Sequence, residues 1–158
     1  MRFFTLLFAL SLFLKPVLAE DTGYLSLPFK TVEGKKVTLS ELKGKPVLLE
    51  FWASWCFACS MSFPHTNRIA EKYSKRIHAI GINTDIENIS ELKEIIEENN
   101  IKFSIWINHP EGNSHFGGIS SLPTFIILDK NGKIVKKIIG LKKDTEIELD
   151  NTIKKLLE

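Results

Sequence analysis

The chain has 158 residues, of which 44% are apolar, and a formal net charge of +2 at pH 7. This length suits one domain whose core is large enough to be stable without cross-links, and with two cysteines a disulfide-rich scaffold is excluded. Basic residues do not cluster along the chain, so the charge gives no reason to expect a nucleic-acid partner.

Residues 1–19 are predicted to be a signal peptide, and residues 20–158 the folded domain. The apolar run Phe3–Leu14 is interrupted at Lys15, which makes it too short for a comfortable membrane span, and Ala19 is the small residue before the cleavage site. An uncleaved N-terminal anchor is the alternative. Cleavage would remove two of the 21 basic residues and none of the 19 acidic ones, so the domain would carry no net charge.

The first half of the domain alternates strand and helix patterns. The nearly continuous apolar stretch Val47–Trp52 predicts a strand that is covered on both faces. The elements predicted here are a strand–turn–strand unit over 25–39, a helical turn over 40–43, a strand over 47–52, a helix ending near 74 and a strand over 77–82.

The second half continues the alternation and closes with a hairpin. Asn88, with Glu91 three residues later, has the spacing of a helix cap. The elements predicted here are a helix from 88, a strand over 101–107, a loop over 108–121, antiparallel strands over 124–128 and 133–139, and a helix opened by Thr145 and Glu148 whose Ile147, Ile153, Leu156 and Leu157 face inward. This order predicts an α/β fold with a mixed sheet and helices on both faces.

Two cysteines follow directly on the strand predicted over 47–52. Cys56 is expected to lie at the N-terminus of the next helix, where backbone N–H groups and the helix dipole favour a thiolate. Cys59 follows one helical turn later, close enough to close a small disulfide ring. The spacing therefore predicts a redox-active pair in which Cys56 attacks disulfides.

A metal site and a structural disulfide are the alternatives for this pair. Zinc requires four ligands, and the sequence has no second cysteine pair and only His65 nearby. A disulfide across so short a loop constrains the unfolded chain little. We therefore expect no metal and no cofactor beyond the redox-active disulfide; a metal-binding or redox-inert interaction module is the alternative from another class. His109 and His115 share a predicted loop, where solvation is expected.

The segment Phe51–Cys59, with Pro64 five residues after the second cysteine, resembles the active site of the thioredoxin superfamily. The particular resemblance is to exported thiol–disulfide reductases of the TlpA/ResA family. Residues 34–47 resemble the lead-in hairpin and turn of that family, and Leu122–Thr124 resembles the loop that faces the cysteines. The resemblance covers about residues 25–157. It implies a thioredoxin-like fold with an N-terminal β-hairpin and, over 88–107, a TlpA-type helix–strand insertion.

The resemblance also implies roles for residues around the cysteines. Trp55 and Phe57 flank Cys56 with apolar surface, and they would form part of a shallow groove for an unfolded or extended partner chain. Pro123 would form a cis peptide bond beside the cysteines and leave the Leu122 backbone free to pair with a substrate. A proline that merely starts a strand is the alternative.

The position of the buried acid departs from the TlpA pattern. TlpA-like reductases usually place a glutamate three residues after the second cysteine, where this chain has Ser62. Plain thioredoxin has a buried acid six residues before the first cysteine, and this chain has Glu50 there. Burial is expected to raise the pKa of Glu50 so that it exchanges a proton with Cys59. The alternative is that Glu50 reaches solvent or an ion pair.

These expectations amount to an exported thiol–disulfide oxidoreductase that reduces disulfides of extracytoplasmic proteins. We expect a monomer in the periplasm or another extracytoplasmic space, re-reduced by a membrane-embedded thiol donor. The alternative on the same fold is a disulfide-forming or isomerising enzyme. Phe57-Ala58 stands where the family commonly has a proline-bearing dipeptide, which leaves the direction of electron flow open.

Overall fold

The computed structural model describes residues 23–158, so the predicted signal peptide lies outside the described residues. Seven strands form one sheet in the order β2-β1-β5-β4-β3-β6-β7. The strands are β1 (Phe29–Thr31), β2 (Lys36–Val37), β3 (Val47–Trp52), β4 (His78–Asn83), β5 (Ser104–Ile107), β6 (Thr124–Leu128) and β7 (Ile134–Ile139). The helices are α1 (Phe57–Lys72), α2 (Ile89–Glu98), α3 (Gly112–His115) and α4 (Thr145–Leu157).

Strand β3 lies at the centre of the sheet. It pairs in parallel with β4 and antiparallel with β6, and every one of its residues is buried. Its sequence, apolar apart from Glu50, is what a strand covered on both faces requires. The sheet is mixed because β4 and β5 continue the parallel pairing while β1, β2, β6 and β7 pair antiparallel.

Helical elements cover both faces of the sheet, but unequally. Leu48 and Trp52 lie on the face that packs against α1, together with α2 or α4. Leu49 and Phe51 lie on the opposite face, which is covered by the N-terminal 3-10 turns and by Phe116 after the short α3. Helix α2 and strand β5 form the helix–strand pair predicted over 88–107, and the thioredoxin-like α/β fold is confirmed.

Two details of the predicted elements are wrong. The loop predicted over 108–121 contains α3. In α4, Ile147 is 63% exposed, whereas Leu149, which the prediction left out, is fully buried. The buried face of α4 follows Thr145, Leu149 and Ile153 at four-residue spacing, and Ile147 is out of phase with it.

The start of α4 also differs from the predicted capping box. Asp144 occupies the N-cap position, and the hydroxyl of Thr145 accepts a hydrogen bond from the Lys142 N–H at 2.8 Å. Thr145 therefore closes the preceding turn and does not cap the helix. Within residues 23–158, no helix has the length and apolar character needed to cross a membrane.

Candidate active site

The two cysteines lie where β3 gives way to α1. The Cys56 N–H donates to the Ala53 carbonyl at 3.1 Å, which turns the chain into the helix. Cys56 is the N-cap residue of α1, and its Sγ accepts a hydrogen bond from the Cys59 N–H at 3.2 Å. The Cys56 sulfur thus takes the place of a capping oxygen, where the helix dipole and an N–H donor stabilise negative charge.

Cys56 and Cys59 form a disulfide, with their Cα atoms 5.2 Å apart. Their environments differ: Cys56 is 8% exposed and Cys59 is 0% exposed. An incoming sulfur atom therefore has access to Cys56 alone. The asymmetry matches a pair in which one thiol attacks from the surface and the other resolves from inside the protein.

An acidic residue that the sequence analysis missed anchors the loop before Cys56. The Ser54 N–H and hydroxyl donate to Asp85 Oδ2 at 3.0 Å and 2.6 Å, and Asn83 donates to Asp85 Oδ1 at 2.9 Å. Asp85 follows β4, whose carboxyl end lies beside that of β3 in the parallel ladder. Because neighbouring parallel strands end at the same edge of a sheet, the sequence could have predicted that Asp85 lies close to the loop after β3.

Apolar side chains surround Cys56 at the surface. Trp55 is 74% exposed and Phe57 is 78% exposed, and Met61, one turn further along α1, is also exposed. A groove of about 270 Å³ lies between Trp55 and the segment 119–122. Exposed aromatic side chains beside a concave surface are typical of sites that bind a partner chain.

Leu122 and Pro123 form the other wall of this region. The Leu122–Pro123 peptide bond is cis, and Leu122 packs against the core cluster that contains both cysteines. The Pro123 carbonyl accepts from the Gly140 N–H at 2.8 Å, which ties it to the segment after β7. Among residues 23–158, the Leu122 backbone forms no hydrogen bond, so its N–H and carbonyl are available to a partner.

Lys137 on β7 holds the loop that leads to Leu122, a contact that the sequence did not predict. Its ammonium group donates to the carbonyls of Phe116, Gly117 and Gly118 at 3.0, 3.1 and 2.6 Å. Gly117 and Gly118 have φ angles of +70° and +75°, which side chains disfavour. The three carbonyls saturate the three N–H donors of the lysine.

Glu50 lies at the middle of β3 and is fully buried. Its side chain points to α1, where the Thr66 hydroxyl donates to Oε2 at 2.6 Å and the Ser62 hydroxyl donates to Oε1 in a very short contact. No ion pair to Glu50 is present in the described part of the chain. The alternative in which Glu50 reaches solvent or an ion pair is therefore not what the structure has.

Burial raises the pKa of the Glu50 carboxyl from its ordinary value of 4.5 to about 7. The cost of removing a charge from water is the dominant cause, and the hydrogen bonds from Ser62 and Thr66 lower the pKa without offsetting it. Ser62 and Thr66 were missed as a pair by the sequence analysis. Ser62 and Thr66 follow Cys59 by three and seven residues, and this spacing predicts that they lie on the same face of the helix as Cys59.

The histidines do not assemble with the cysteines. His65 Nδ1 lies 3.3 Å from Glu146 Oε2 at the α1–α4 contact, a partner that the sequence analysis did not identify. In the described part of the chain, no three His, Cys, Asp or Glu side chains are grouped as a metal site would require.

Comparison with known proteins gives a family match over nearly the whole domain. The Redoxin family model matches residues 19–154. The thiol–disulfide oxidoreductase ResA of Bacillus thuringiensis (strain Al Hakam) is 34% identical over 126 residues, which cover 79% of this chain and 71% of the relative. The thioredoxin-like protein YneN of Bacillus subtilis (strain 168) is 32% identical over 125 residues, covering 77% and 73%.

Solved structures agree with this match. A thiol:disulfide interchange protein of the thioredoxin family from Chlorobium tepidum TLS superposes with a TM-score of 0.69 at 26% identity, covering 83% of this chain and 94% of the other. The exposed lipoprotein thioredoxin Etrx1 of Streptococcus pneumoniae strain TIGR4 gives a TM-score of 0.69 at 28% identity, covering 82% and 98%.

The unequal exposure of the two cysteines predicts unequal labelling. In the reduced protein at about pH 6.5, iodoacetamide should modify Cys56 well before Cys59, because Cys56 is both accessible and stabilised as a thiolate at the helix start. Mass spectrometry of the peptide that carries both residues after timed quenching measures the order. Equal labelling of the two thiols in the folded protein would contradict the assignment.

The raised pKa of Glu50 predicts that the protein loses stability as pH rises. Between about pH 4.5 and about pH 7 the folded state binds a proton that the unfolded state has released. The free energy of unfolding should therefore fall with increasing pH across this window, by about 3 kcal/mol at most, and level off above it.

Urea unfolding at a series of pH values measures this contribution. Glu50→Gln removes the titration, so its free energy of unfolding should rise relative to that of the wild type as pH increases. Above about pH 7 the variant should be the more stable of the two. Glu146→Gln is the matched control, because Glu146 is a partly exposed acid whose pKa is lowered by its hydrogen bond with Arg68. Parallel wild-type and Glu50→Gln curves would show that Glu50 has an ordinary pKa.

Proposed function

The chain belongs to the Redoxin family, among the ResA-type thiol–disulfide oxidoreductases, and from this premise we propose that it reduces disulfides of proteins outside the cytoplasm. The observation that carries the proposal is the pairing of a slightly exposed cysteine at a helix N-terminus with a fully buried cysteine one turn later. Such a pair takes part in thiol–disulfide exchange through a mixed disulfide.

The reaction proceeds in two exchange steps. In the reduced enzyme the Cys56 thiolate attacks one sulfur of the substrate disulfide, a Cys56–substrate disulfide forms, and the other substrate sulfur leaves as a thiolate that takes up a proton. Cys59 then loses its proton and attacks the Cys56 sulfur. The Cys56–Cys59 disulfide forms, the second substrate thiol is released, and the substrate has gained two electrons and two protons.

Glu50 is proposed to accept the proton that Cys59 loses. A buried thiol has no direct contact with water, so its deprotonation requires a base inside the protein. The Glu50 carboxyl, with a pKa of about 7, is divided between its charged and neutral forms near neutral pH and can act in either direction. The proposal is supported by Ser62, whose hydroxyl contacts both the Glu50 carboxyl and the carbonyl oxygen of Cys59.

Substrate binding is proposed for the surface around Cys56. Trp55 and Phe57 would contact apolar side chains of the partner, and the open Leu122 backbone would pair with its main chain. Leu122 lines the groove together with Trp55. An unfolded or extended protein chain that carries a disulfide is the kind of substrate that these contacts suit.

The cellular setting follows from the N-terminal sequence. We propose export by the signal peptide in residues 1–19, with an uncleaved anchor as the alternative, and action as a monomer. Outside the cytoplasm a thiol pair tends to be oxidised, so a reductase there needs its own source of electrons. A membrane-embedded protein with a reactive thiol pair is the proposed donor.

The reduction potential of the Cys56–Cys59 couple tests the direction of electron flow. Equilibration with glutathione buffers, followed by separation of the oxidised and reduced forms, should give a value near that of thioredoxin, about −270 mV. A value near about −120 mV would instead identify a disulfide-forming enzyme. Cys59→Ser, which cannot resolve the mixed disulfide, should capture extracytoplasmic proteins whose release requires a reductant, and Cys56→Ser is the control that captures none.

The role of Glu50 predicts a change confined to the resolution step. Glu50→Gln keeps the side-chain shape but cannot accept a proton, so resolution by Cys59 should slow by about 10²-fold or less, and its pH dependence near neutrality should flatten. Formation of the mixed disulfide by Cys56 should be unchanged, and stopped-flow measurement of both steps separates them. Wild-type resolution rates at every pH would show that the proton goes elsewhere.

A further inference from the structure

The hydroxyl of Ser62 lies between two acceptors. Ser62 Oγ contacts Glu50 Oε1 and also lies 2.8 Å from the carbonyl oxygen of Cys59, one turn earlier on α1. A serine hydroxyl carries a single proton, so it can donate to only one of these oxygens at a time. Ser62 is fully buried, and water therefore does not compete for this proton.

The protonation state of Glu50 decides where the Ser62 proton points. When Glu50 is ionised, its carboxylate is the stronger acceptor, and Ser62 donates to it. When Glu50 is neutral, its own O–H donates to Ser62 Oγ, and the Ser62 proton turns to the Cys59 carbonyl at 2.8 Å. Each state satisfies the short Glu50–Ser62 contact, but only the neutral state adds the bond to Cys59.

Thr66 is the natural control for Ser62, because it contacts the same carboxyl. Its hydroxyl donates to the other oxygen of the same carboxyl, Glu50 Oε2, at 2.6 Å, and this is its one side-chain hydrogen bond among the described residues. Thr66 therefore shares with Ser62 the effect on Glu50 but has no contact with Cys59. Both hydroxyls lower the pKa of Glu50, so removal of either should raise it further.

Within residues 23–158, no charged side chain shifts the pKa of the Glu50 carboxyl. Glu50 is flanked in the sheet by Gly81 on β4 and Phe125 on β6, and α1 presents only Ser62 and Thr66 to its carboxyl. In the reduced enzyme the thiols of Cys56 and Cys59 are the titratable groups of the adjacent turn. The charge of Glu50 is therefore set locally, by burial and by two hydroxyls.

We propose that Ser62 is a positioning residue that transmits the protonation state of Glu50 to the helical turn that carries Cys59. As Glu50 takes the proton from the Cys59 thiol, the Ser62 proton moves from the carboxylate to the Cys59 carbonyl, and the turn is fixed while Cys59 attacks Cys56. One proton leaves Cys59 and one arrives on Glu50, and Ser62 gains and loses none. The kinetic part of this inference rests on the proposed role of Glu50, whereas the hydrogen-bond exchange does not.

Carbon-13 NMR of the oxidised protein tests the exchange without catalysis. The Cys59 carbonyl and the Glu50 carboxyl should shift with pH at one common midpoint in the wild type. Thr66→Val should keep the two signals coupled and move the midpoint upward. Ser62→Ala should also raise the Glu50 midpoint but should leave the Cys59 carbonyl unchanged, and Ser62→Thr, which keeps a hydroxyl, should restore its shift.

Kinetics with Ellman's reagent test the consequence for the reaction. Cys56 takes up one thionitrobenzoate, and Cys59 then displaces it, so release of the second thionitrobenzoate reports resolution. The two variants are compared at a pH at which Glu50 is ionised in both. The second thionitrobenzoate should then leave Ser62→Ala about two- to tenfold more slowly than Thr66→Val, because Ser62→Ala alone loses the buried hydrogen bond to Cys59. In a Glu50→Gln background, Ser62→Ala should add no further slowing.

The outcomes separate this inference from the proposed function. The inference is overturned if the Cys59 carbonyl shift does not change with the titration of Glu50 in the wild type. It is also overturned if that shift still changes with the titration in Ser62→Ala. Equal resolution rates for Ser62→Ala and Thr66→Val overturn its kinetic part. Normal resolution by Glu50→Gln refutes the proposed role of Glu50, and the NMR result then decides the hydrogen-bond exchange independently.

Discussion

The central physical constraint in this protein is a buried carboxyl group, that of Glu50, which has no counter-ion among residues 23–158. Glu50 interrupts the apolar strand at the middle of the sheet, where an ionised side chain loses its hydration. Two hydroxyls from α1 offset part of that cost, so α1 must cross β3 with one particular face toward it. A neutral side chain at this position would be easier to bury, so the acid does not add to the stability of the fold when it is ionised.

The same crossing of α1 over β3 makes the two cysteines unequal. A tight loop joins the end of β3 to α1, so Cys56 becomes the N-cap and keeps a small exposed area. One turn later the helix has reached the core, and Cys59 lies on the side that continues to Ser62 and Thr66. The N-cap cysteine, the fully buried cysteine and the two hydroxyls that contact Glu50 thus follow one another along one side of the helix.

The elements with strong local patterns were predictable from the sequence. Val47–Trp52 was expected as a covered strand and has those bounds, because a run that is apolar apart from Glu50 and lies between Pro46 and the cysteines favours a buried strand. The short helix α3 was missed because Gly112–His115 is only one turn long and lacks an apolar face. Ile147 was placed inside because its apolar character outweighed its phase, which tertiary packing of α4 decides.

The contacts around the site were less predictable than the site residues. Motif spacing predicted the cysteine pair, and the family resemblance predicted roles for Glu50 and Pro123, but neither says which side chains contact the Glu50 carboxyl. The Ser62–Glu50 contact depends on the crossing of a helix and a strand, and the Ser54–Asp85 contact depends on the pairing of β3 with β4. Such contacts join residues of different secondary-structure elements, so the periodicity within one element does not predict them.

The close spacing of the cysteines in the chain has a consequence for how the enzyme reaches its working state. The disulfide joins residues separated by three positions, so the ring can close in an unfolded chain at little entropic cost. Glu50, by contrast, is buried only after β3 has paired with β4 and with β6, and the latter pairing joins segments far apart in sequence. An unfolded chain can therefore become oxidised before it folds, while Glu50 is still an ordinary solvated acid. Before folding, the two cysteines react as a simple dithiol. The difference between Cys56 and Cys59 arises only when the sheet has formed.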